Sequence, residues 1–278
     1  MKIVKSSGEK VPFSLEKLRR SLKASGADEA LVSQIVNRVR EELYQGISTR
    51  EIYNRAYALL KLERTFLASR YKLKKAIYEL GPTGYPFEKY VSAIMKASGY
   101  NTIVGKILPG ICVRHEIDVF AVKEEMATIV ECKFHGEEGR NCNVKVPLYI
   151  HSRYMDVKGH WEIKGEGGIG FDIGWVVTNT RFTEDALAFG KCAGLFLLSW
   201  DHPKGDGLKD RIDRFQLYPV TVSTLLSQKE IQFLLDRDVV LCKQLIKESF
   251  YLDHLGISAI RKAKILKEMG TLCNTLKS

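Results

Sequence analysis

The sequence predicts an α/β fold: a mixed sheet flanked by helices, preceded by a small hairpin-plus-helices domain and followed by a helical C-terminus. Between residues 84 and 222, apolar runs of strand-like composition alternate with helical stretches, which is typical of an α/β domain. Apolar residues recur at helical spacing from residue 14 to residue 80, and again from residue 223 onward. A turn-forming run at 81–84, Gly-Pro-Thr-Gly, separates the first two parts. The predicted domains are residues 1–82, 83–222 and 223–278.

The N-terminal domain is predicted from a hairpin and a run of helix signals. Residues 3–5 and 11–13 flank the turn-forming residues 6–9, which indicates a short β-hairpin. Ser14 precedes leucines at helical spacing and is predicted to cap the first helix. Three further helices are predicted at about 30–44, 49–60 and 63–80.

The middle domain is predicted from a helix followed by strands and helices in alternation. The first helix covers residues 86–98 and ends at a glycine. The predicted strands cover residues 102–104, 111–113, 117–122, 128–132, 175–178 and 195–199. The later strands are separated by predicted helices at about 144–154 and 183–192.

Charge and cysteine content narrow the class of protein. The net charge of +10 is concentrated in the first 80 residues and the last 38, which suits a polyanionic partner such as DNA or a nucleotide, although a solvated basic surface is an equal alternative. The six cysteines are scattered without a CxxC pair, so neither a zinc site nor a disulfide framework is indicated. No apolar run reaches the length of a membrane span, and a reducing cytoplasm is the expected setting.

Three residues of a predicted hairpin carry the chemistry that the sequence indicates. Asp118 lies near the start of one strand, the turn is predicted at 123–126, and the return strand ends in Glu131 and Lys133. Because side chains alternate along a strand, Glu131 and Lys133 share a face. If the hairpin pairs as written, Asp118 lies opposite the end of the return strand. The three side chains are therefore expected to converge at one end of the sheet.

This grouping suits metal-assisted hydrolysis of a phosphodiester. Two carboxylates can bind Mg²⁺, which polarises a phosphate and lowers the pKa of an attacking water. Lys133 can orient that water and stabilise the developing charge, and Glu88 on the preceding helix can add a carboxylate. A Glu-x-Lys strand end is also an ordinary feature of a solvent-exposed edge. The interpretation as a catalytic site is favoured because apolar strand residues flank Asp118 and Glu131, and an unsatisfied charge among such residues is unfavourable.

Residues 84–222 resemble the Mrr-type restriction endonucleases, a branch of the PD-(D/E)xK nucleases. The segments that carry the resemblance are 84–88 (GYPFE), 98–100 (SGY), 116–119 (EIDV) and 131–135 (ECKFH). The resemblance implies a restriction-endonuclease-like fold, DNA as the substrate and Mg²⁺ or Mn²⁺ as the metal. It also implies that Asp118 and Glu131 bind the metal, that Lys133 is catalytic and that Glu88 supports them.

Other family-like features are left without a firm role. Mrr-like proteins often carry Gln-xxx-Tyr on the next helix; here Lys145 replaces the glutamine and Tyr149 keeps the spacing, so the pair is an accessory candidate and Tyr149 can equally be a core aromatic. Segments 178–182 and 199–201 also resemble the family, with no chemistry assigned. Nearby histidines are expected to be neighbours or DNA contacts rather than metal ligands. They are His115, His135 and His151.

Residues 2–80 resemble the ATP-cone, the regulatory nucleotide-binding domain of ribonucleotide reductases and of the repressor of their genes. The stretches that carry this resemblance are 3–18 and 68–71. It implies that Lys5 and Lys17 contact the phosphates of ATP or dATP, with Ser14 at the helix N-terminus beside them. Position 6 is serine where the family usually has arginine. Taken without the resemblance, these lysines fit an ordinary surface.

Two further patterns are weak. Residues 165–170 fit GxGxxG, but a strand follows where a dinucleotide site needs a helix, so a flexible loop is predicted. Basic residues after Leu255-Gly256-Ile257 suit a DNA-contacting helix hairpin or a solvated helix face equally.

The sequence thus predicts a metal-dependent DNA endonuclease regulated by ATP or dATP and acting as a homo-oligomer, a dimer or tetramer. Because the sequence contains no P-loop motif, the nucleotide is expected to regulate rather than to supply energy. The alternatives are a nucleotide-sensing DNA-binding regulator whose nuclease fold does not cut, and an assembly module driven by contacts between cones.

Overall fold

A computed structural model describes residues 1–5, 8–137, 139–164 and 168–274 of the chain. The α/β class with a mixed sheet, an N-terminal hairpin and a helical C-terminus is confirmed. The chain forms two compact units, one made of Met1–Ala76 with Tyr218–Ser278 and the other of Ile77–Leu217. The first and third predicted segments therefore belong to one compact unit. Within the described ranges, no helix is long and apolar enough to cross a membrane.

The first unit begins with the predicted hairpin. Strand β1 (Lys2–Val4) pairs antiparallel with β2 (Lys10–Pro12), while the turn residues at 6 and 7 lie outside the described residues. Ser14 caps the next helix as predicted, since its Oγ accepts a hydrogen bond from the Lys17 amide at 3.3 Å. Four helices follow: α1 (Leu15–Ala24), α2 (Glu29–Glu41), α3 (Thr49–Glu63) and α4 (Thr65–Tyr78).

The second unit opens with helix α5 (Tyr85–Ala97), which packs on the first three strands of the sheet. Those strands are β3 (Asn101–Pro109), β4 (Arg114–Lys123) and β5 (Met126–Lys133). The later elements are β6 (Asn141–Cys142), α6 (Lys145–Lys164), β7 (Gly170–Phe171), β8 (Trp175–Thr178), β9 (Arg181–Phe182), α7 (Glu184–Cys192), β10 (Phe196–Leu198) and α8 (Leu208–Phe215).

The main sheet has the strand order β10-β8-β5-β4-β3, with β7 beside β5. Strands β3, β4 and β5 are antiparallel neighbours, whereas β8 runs parallel to β5 and β10 runs parallel to β8, which makes the sheet mixed. Glu124 and Glu125, both at positive φ, form the two-residue turn between β4 and β5 at the predicted place. An apolar cluster that includes Phe120, Ile129 and Trp161 lies between the sheet and α6.

One predicted strand is wrong. Residues 111–113 form a loop rather than a strand, although Ile111 and Val113 favour strands. A carboxylate on α6 holds this loop, because Asp156 accepts hydrogen bonds from the backbone amides of Cys112 and Val113. A contact with a residue more than forty positions away thus overrides the local preference. In the predicted GxGxxG loop, residues 165–167 lie outside the described part of the chain.

The C-terminal segment completes the first unit with helices α9 (Gln228–Leu235), α10 (Cys242–Lys247), α11 (Phe250–His254) and α12 (Ala259–Asn274). Glu268 on α12 is buried, and its carboxylate accepts hydrogen bonds from the hydroxyls of Ser69 on α4 and Ser223, at 2.8 and 2.7 Å. Two of the basic residues on α12 are in ion pairs, Arg261 with Glu230 and Lys262 with Asp253. Ion pairing within the protein accounts for these two charges and favours the solvated-face interpretation for them.

Candidate active site and nucleotide pocket

The β4–β5 hairpin brings Asp118 and Glu131 together. Its register pairs Val119 with Val130, so one further step places Asp118 opposite Glu131. The Asp118 Oδ2 atom accepts a hydrogen bond from the Cys132 amide at 2.7 Å, which fixes this carboxylate across the end of β5. Lys133 is the last residue of β5 and its side chain is exposed. The pairing thus juxtaposes the two carboxylates at the end of β5 that carries Lys133.

Glu88 adds a third carboxylate from the first turn of α5. The pKa of Glu88 is raised to about 7, first by burial and then by the negative charges of Asp118 and Glu116. Because the charge of Asp118 affects the pKa of Glu88, this glutamate on α5 lies near the acidic end of the hairpin. Glu88 therefore lies near enough to Asp118 and Glu131 for their charges to interact.

Ionisation of Glu131 is disfavoured in the same way as that of Glu88. Its pKa is raised to about 7, first by burial and then by the charge of Asp118, while Arg153 opposes both effects. The pKa of Asp118 is also raised by burial, although its hydrogen bond from the Cys132 amide works in the other direction. Ionised carboxylates this close together in a partly buried place repel one another, and a nearby cation offsets that repulsion.

Arg153 is a member of the site that the sequence analysis missed. It lies on α6, and its Nη1 donates a hydrogen bond to Glu131 Oε2 at 2.7 Å, while Nη2 donates to the Glu116 carbonyl. The guanidinium also lies 5.7 Å from the centre of the Tyr149 ring. The spacing of Lys145, Tyr149 and Arg153 at four-residue intervals on one helix was a usable signal, because such residues share a face.

Lys145 and Tyr149 are both exposed, so neither lies in the packed core. Tyr149 is 62% exposed, so the alternative of a core aromatic is wrong. Lys145 is exposed at the start of α6, where its amide donates to the Asn143 side chain. Only Tyr149 is linked to the acidic site by a described contact, through Arg153.

The three nearby histidines have other partners. His115 pairs with Asp156 at 2.8 Å, and His151 packs against the rings of Tyr154 and Phe189. The pKa of His135 is lowered by burial and by the charge of Lys133, which keeps its ring neutral at pH 7. That the three histidines are neighbours or DNA contacts rather than metal ligands stays a prediction.

Within the described ranges, no three His, Cys, Asp or Glu side chains are arranged as a ready-made metal cage. Mg²⁺ commonly binds through one or two carboxylates, with water and substrate phosphate filling its other positions. Asp118 and Glu131 supply such a pair of hard oxygen donors. The donor set therefore suits a water-rich Mg²⁺ or Mn²⁺ site better than a structural zinc site.

The predicted nucleotide residues share a pocket in the first unit. Lys5, Ser14 and Lys17 all line a cavity of about 280 Å³ between the hairpin and the helices. Two aromatic side chains, Tyr53 and Tyr71, form another part of its wall and stack with ring centres 5.0 Å apart. Lys5 also pairs with Glu9 at 2.7 Å, within the hairpin. The pocket thus combines two cations and a helix N-terminus with an aromatic wall.

Comparison with known families identifies both ends of the chain. Residues 1–78 match the ATP cone domain. Residues 218–273 match the AF1548-like C-terminal domain. The resemblance of residues 84–222 to the Mrr type stays a prediction.

Similar whole proteins were also found. An uncharacterized protein of Archaeoglobus fulgidus is 27% identical over 179 residues, which cover 64% of this chain and 97% of that protein. The crystal structure of AF1548, a protein of unknown function, has 26% identity and a TM-score of 0.56, covering 69% of this chain and all of the other. MspJI restriction endonuclease in complex with a 27-mer oligonucleotide has 14% identity and a TM-score of 0.37, over 62% of this chain and 36% of that one. That last likeness is too weak to bear on function.

Proposed function

We propose that this chain is a metal-dependent DNA endonuclease whose Ile77–Leu217 unit hydrolyses phosphodiester bonds and whose ATP-cone binds ATP or dATP as a regulator. The observation that carries the proposal is the acidic end of the β4–β5 hairpin beside Lys133. There, burial and mutual repulsion raise the pKa values of both Glu88 and Glu131 to about 7. Perturbed carboxylates that converge from separate elements are typical of functional sites.

Each residue has a role that its position supports. Asp118 and Glu131 would hold Mg²⁺ or Mn²⁺, and Glu88 would support them from α5. When bound, the metal would polarise the scissile phosphate and lower the pKa of a coordinated water. Lys133 would orient the attacking water through its ammonium group and stabilise negative charge that develops at phosphorus. The accessory candidates Lys145 and Tyr149 lie on the helix that carries Arg153.

The regulatory proposal rests on the cone pocket. Lys5 and Lys17 supply positive charge, and the amides at the start of α1 beside Ser14 favour phosphate binding. The nucleotide would change activity or assembly, with a homo-oligomer as the expected active form. ATP and dATP both fit this chemistry, so each is tested separately.

A second function is favoured by one contact. The Arg153 guanidinium occupies Oε2 of Glu131, an oxygen that a metal ion would use, and it already neutralises part of the acidic charge. A site satisfied in this way fits a nucleotide-sensing regulator that binds DNA without cutting it. The two functions differ in a single observable, the breakage of a phosphodiester bond.

Plasmid cleavage separates the two functions. Supercoiled DNA is incubated with the full chain and Mg²⁺ or Mn²⁺, with no nucleotide, with ATP or with dATP. The wild type is expected to nick or linearise the plasmid, and Lys133→Ala to cut far more slowly, with only residual cleavage, while still binding DNA. Lys209→Ala, which removes an exposed lysine of α8, serves as the matched control and is expected to cut normally. Binding without cleavage under every condition would establish the regulator instead.

A further inference from the structure

The end of β8 and the turn that follows it contain three buried polar residues that have no role in the proposed chemistry. Thr178, Asn179 and Thr180 are each no more than 3% exposed. Burial of a polar side chain is unfavourable unless its hydrogen bonds are satisfied, so their partners show what they do. Their partners outside this trio are Lys133 and His135.

Asn179 binds both backbone groups of one residue. Its Oδ1 accepts a hydrogen bond from the His135 amide at 2.9 Å, and its Nδ2 donates one to the His135 carbonyl at 2.8 Å. Thr178 reinforces the attachment, because its hydroxyl donates to the carbonyl of Lys133 at 2.8 Å. The backbone is therefore held at Lys133 itself and again two residues later.

These bonds replace the sheet at the place where it stops. Parallel pairing between β5 and β8 ends at Lys133 and Thr178. Beyond that pair, the Asn179 amide presents a donor and an acceptor side by side, as a neighbouring strand would. Aspartate in its ionised form lacks the donor, and alanine lacks both groups.

We infer that Asn179 is a positioning residue for Lys133, which holds the end of β5 so that the Lys133 ammonium keeps its place relative to Asp118 and Glu131. This inference rests on the proposed nuclease function. Precise placement matters because a displacement of about 1 Å in a catalytic group can cost about 100-fold in rate. Asn179 acts through the backbone and touches neither metal nor DNA in this scheme.

The first test compares Asn179→Ala with a matched buried polar substitution. Ser199→Ala is the control, because Ser199 is 1% exposed and its Oγ has no hydrogen-bond partner among the described residues. Asn179→Ala is expected to lower kcat at saturating Mg²⁺ by about 10- to 100-fold, with KM for DNA changed by less than about threefold. Circular dichroism and the melting temperature verify that both variants are folded at the assay temperature.

Two readouts distinguish positioning from a general structural role. In a Lys133→Ala background, measured by single-turnover cleavage in Mn²⁺, adding Asn179→Ala is expected to cause no further loss, because both changes remove the same interaction. Asn179→Asp is expected to regain activity relative to the wild type as the pH falls, since a protonated carboxyl group again offers a donor and an acceptor. The ratio of Asn179→Asp activity to wild-type activity is measured at each pH, well below the melting temperature of the variant.

The possible outcomes distinguish a failure of the positioning role of Asn179 from a failure of the proposed nuclease function. Wild-type kcat in Asn179→Ala, or equal losses in the presence and absence of Lys133, would overturn the positioning role while leaving the nuclease intact. An absence of cleavage by the wild type in both metals would instead remove the nuclease function, and the inference with it.

Discussion

The raised pKa values of Glu88 and Glu131 predict that metal binding at the proposed site weakens as the pH falls. Both groups have pKa values of about 7, above the ordinary value of 4.5. A metal ion binds the ionised carboxylate, so each protonated ligand must release its proton first. Lowering the pH is therefore expected to weaken metal binding, and raising the pH above these pKa values to restore it.

The magnitude follows from those pKa values. A carboxyl group with a pKa of about 7 is about one-tenth ionised at about pH 6 and about nine-tenths ionised at about pH 8. If Glu131 alone must ionise, the apparent affinity for Mg²⁺ rises about tenfold over that interval. If Glu88 must ionise as well, the rise is about 100-fold. Unperturbed glutamates would produce almost no change in this range.

Calorimetric titration of Mg²⁺ into the metal-free protein measures this dependence without relying on activity. Titrations at about pH 6, 7 and 8, in buffers of different ionisation enthalpy, give both the affinity and the number of protons released. Glu88→Gln removes one titrating group and one repulsive charge, so its pH dependence is expected to be shallower. An affinity that is flat between about pH 6 and pH 8, with no proton release, would refute the electrostatic description of the site.

Three other perturbations test separate parts of the structure. Arg153→Ala removes the cation beside Glu131, so activity is expected to fall at neutral pH and to recover toward higher pH, a shift that pH–rate profiles would reveal and an unchanged profile would contradict. Glu268→Ala leaves buried hydroxyls without their acceptor and is expected to lower the free energy of unfolding by about 3 kcal/mol, measured by urea denaturation; a loss within error would show that the contacts are dispensable. Lys17→Ala is expected to weaken ATP and dATP binding about tenfold or more in calorimetry, while Lys10→Ala, outside the pocket, binds normally; equal affinities would place the nucleotide elsewhere.

Features set by neighbouring residues were predictable from the sequence. The Ser14 cap depends on an amide three residues later, and the turn between β4 and β5 depends on two residues at positive φ. The same hairpin fixes Asp118 opposite Glu131, because alternation and register follow from the turn. The position of the carboxylate pair is thus predictable from the sequence alone.

Features set by distant residues were not predictable in this way. Residues 111–113 form a loop because Asp156 binds their amides, and Arg153 enters the site by crossing from α6 to the end of β5. Asn179 carries a family-like pattern, but its meaning depends on a backbone 44 residues earlier. In each case a side chain satisfies a group that sequence spacing does not identify.

The contacts between α4 and the C-terminal segment join residues that are farther apart in the sequence, and they bear on how a nucleotide could act. Helix α4 contributes Tyr71 to the wall of the cone pocket, while Ser69 and Lys72 of the same helix bond to Glu268 and to the Thr221 carbonyl. A helix moves as a nearly rigid rod, so a shift of Tyr71 on nucleotide binding must also strain or relax the buried bonds of its neighbours. The C-terminal segment therefore packs in the same compact unit as the proposed nucleotide pocket, although about 140 residues of chain separate it from α4. If a nucleotide binds in this pocket as proposed, its effect should be sought first in the contacts of Glu268 on α12 with α4.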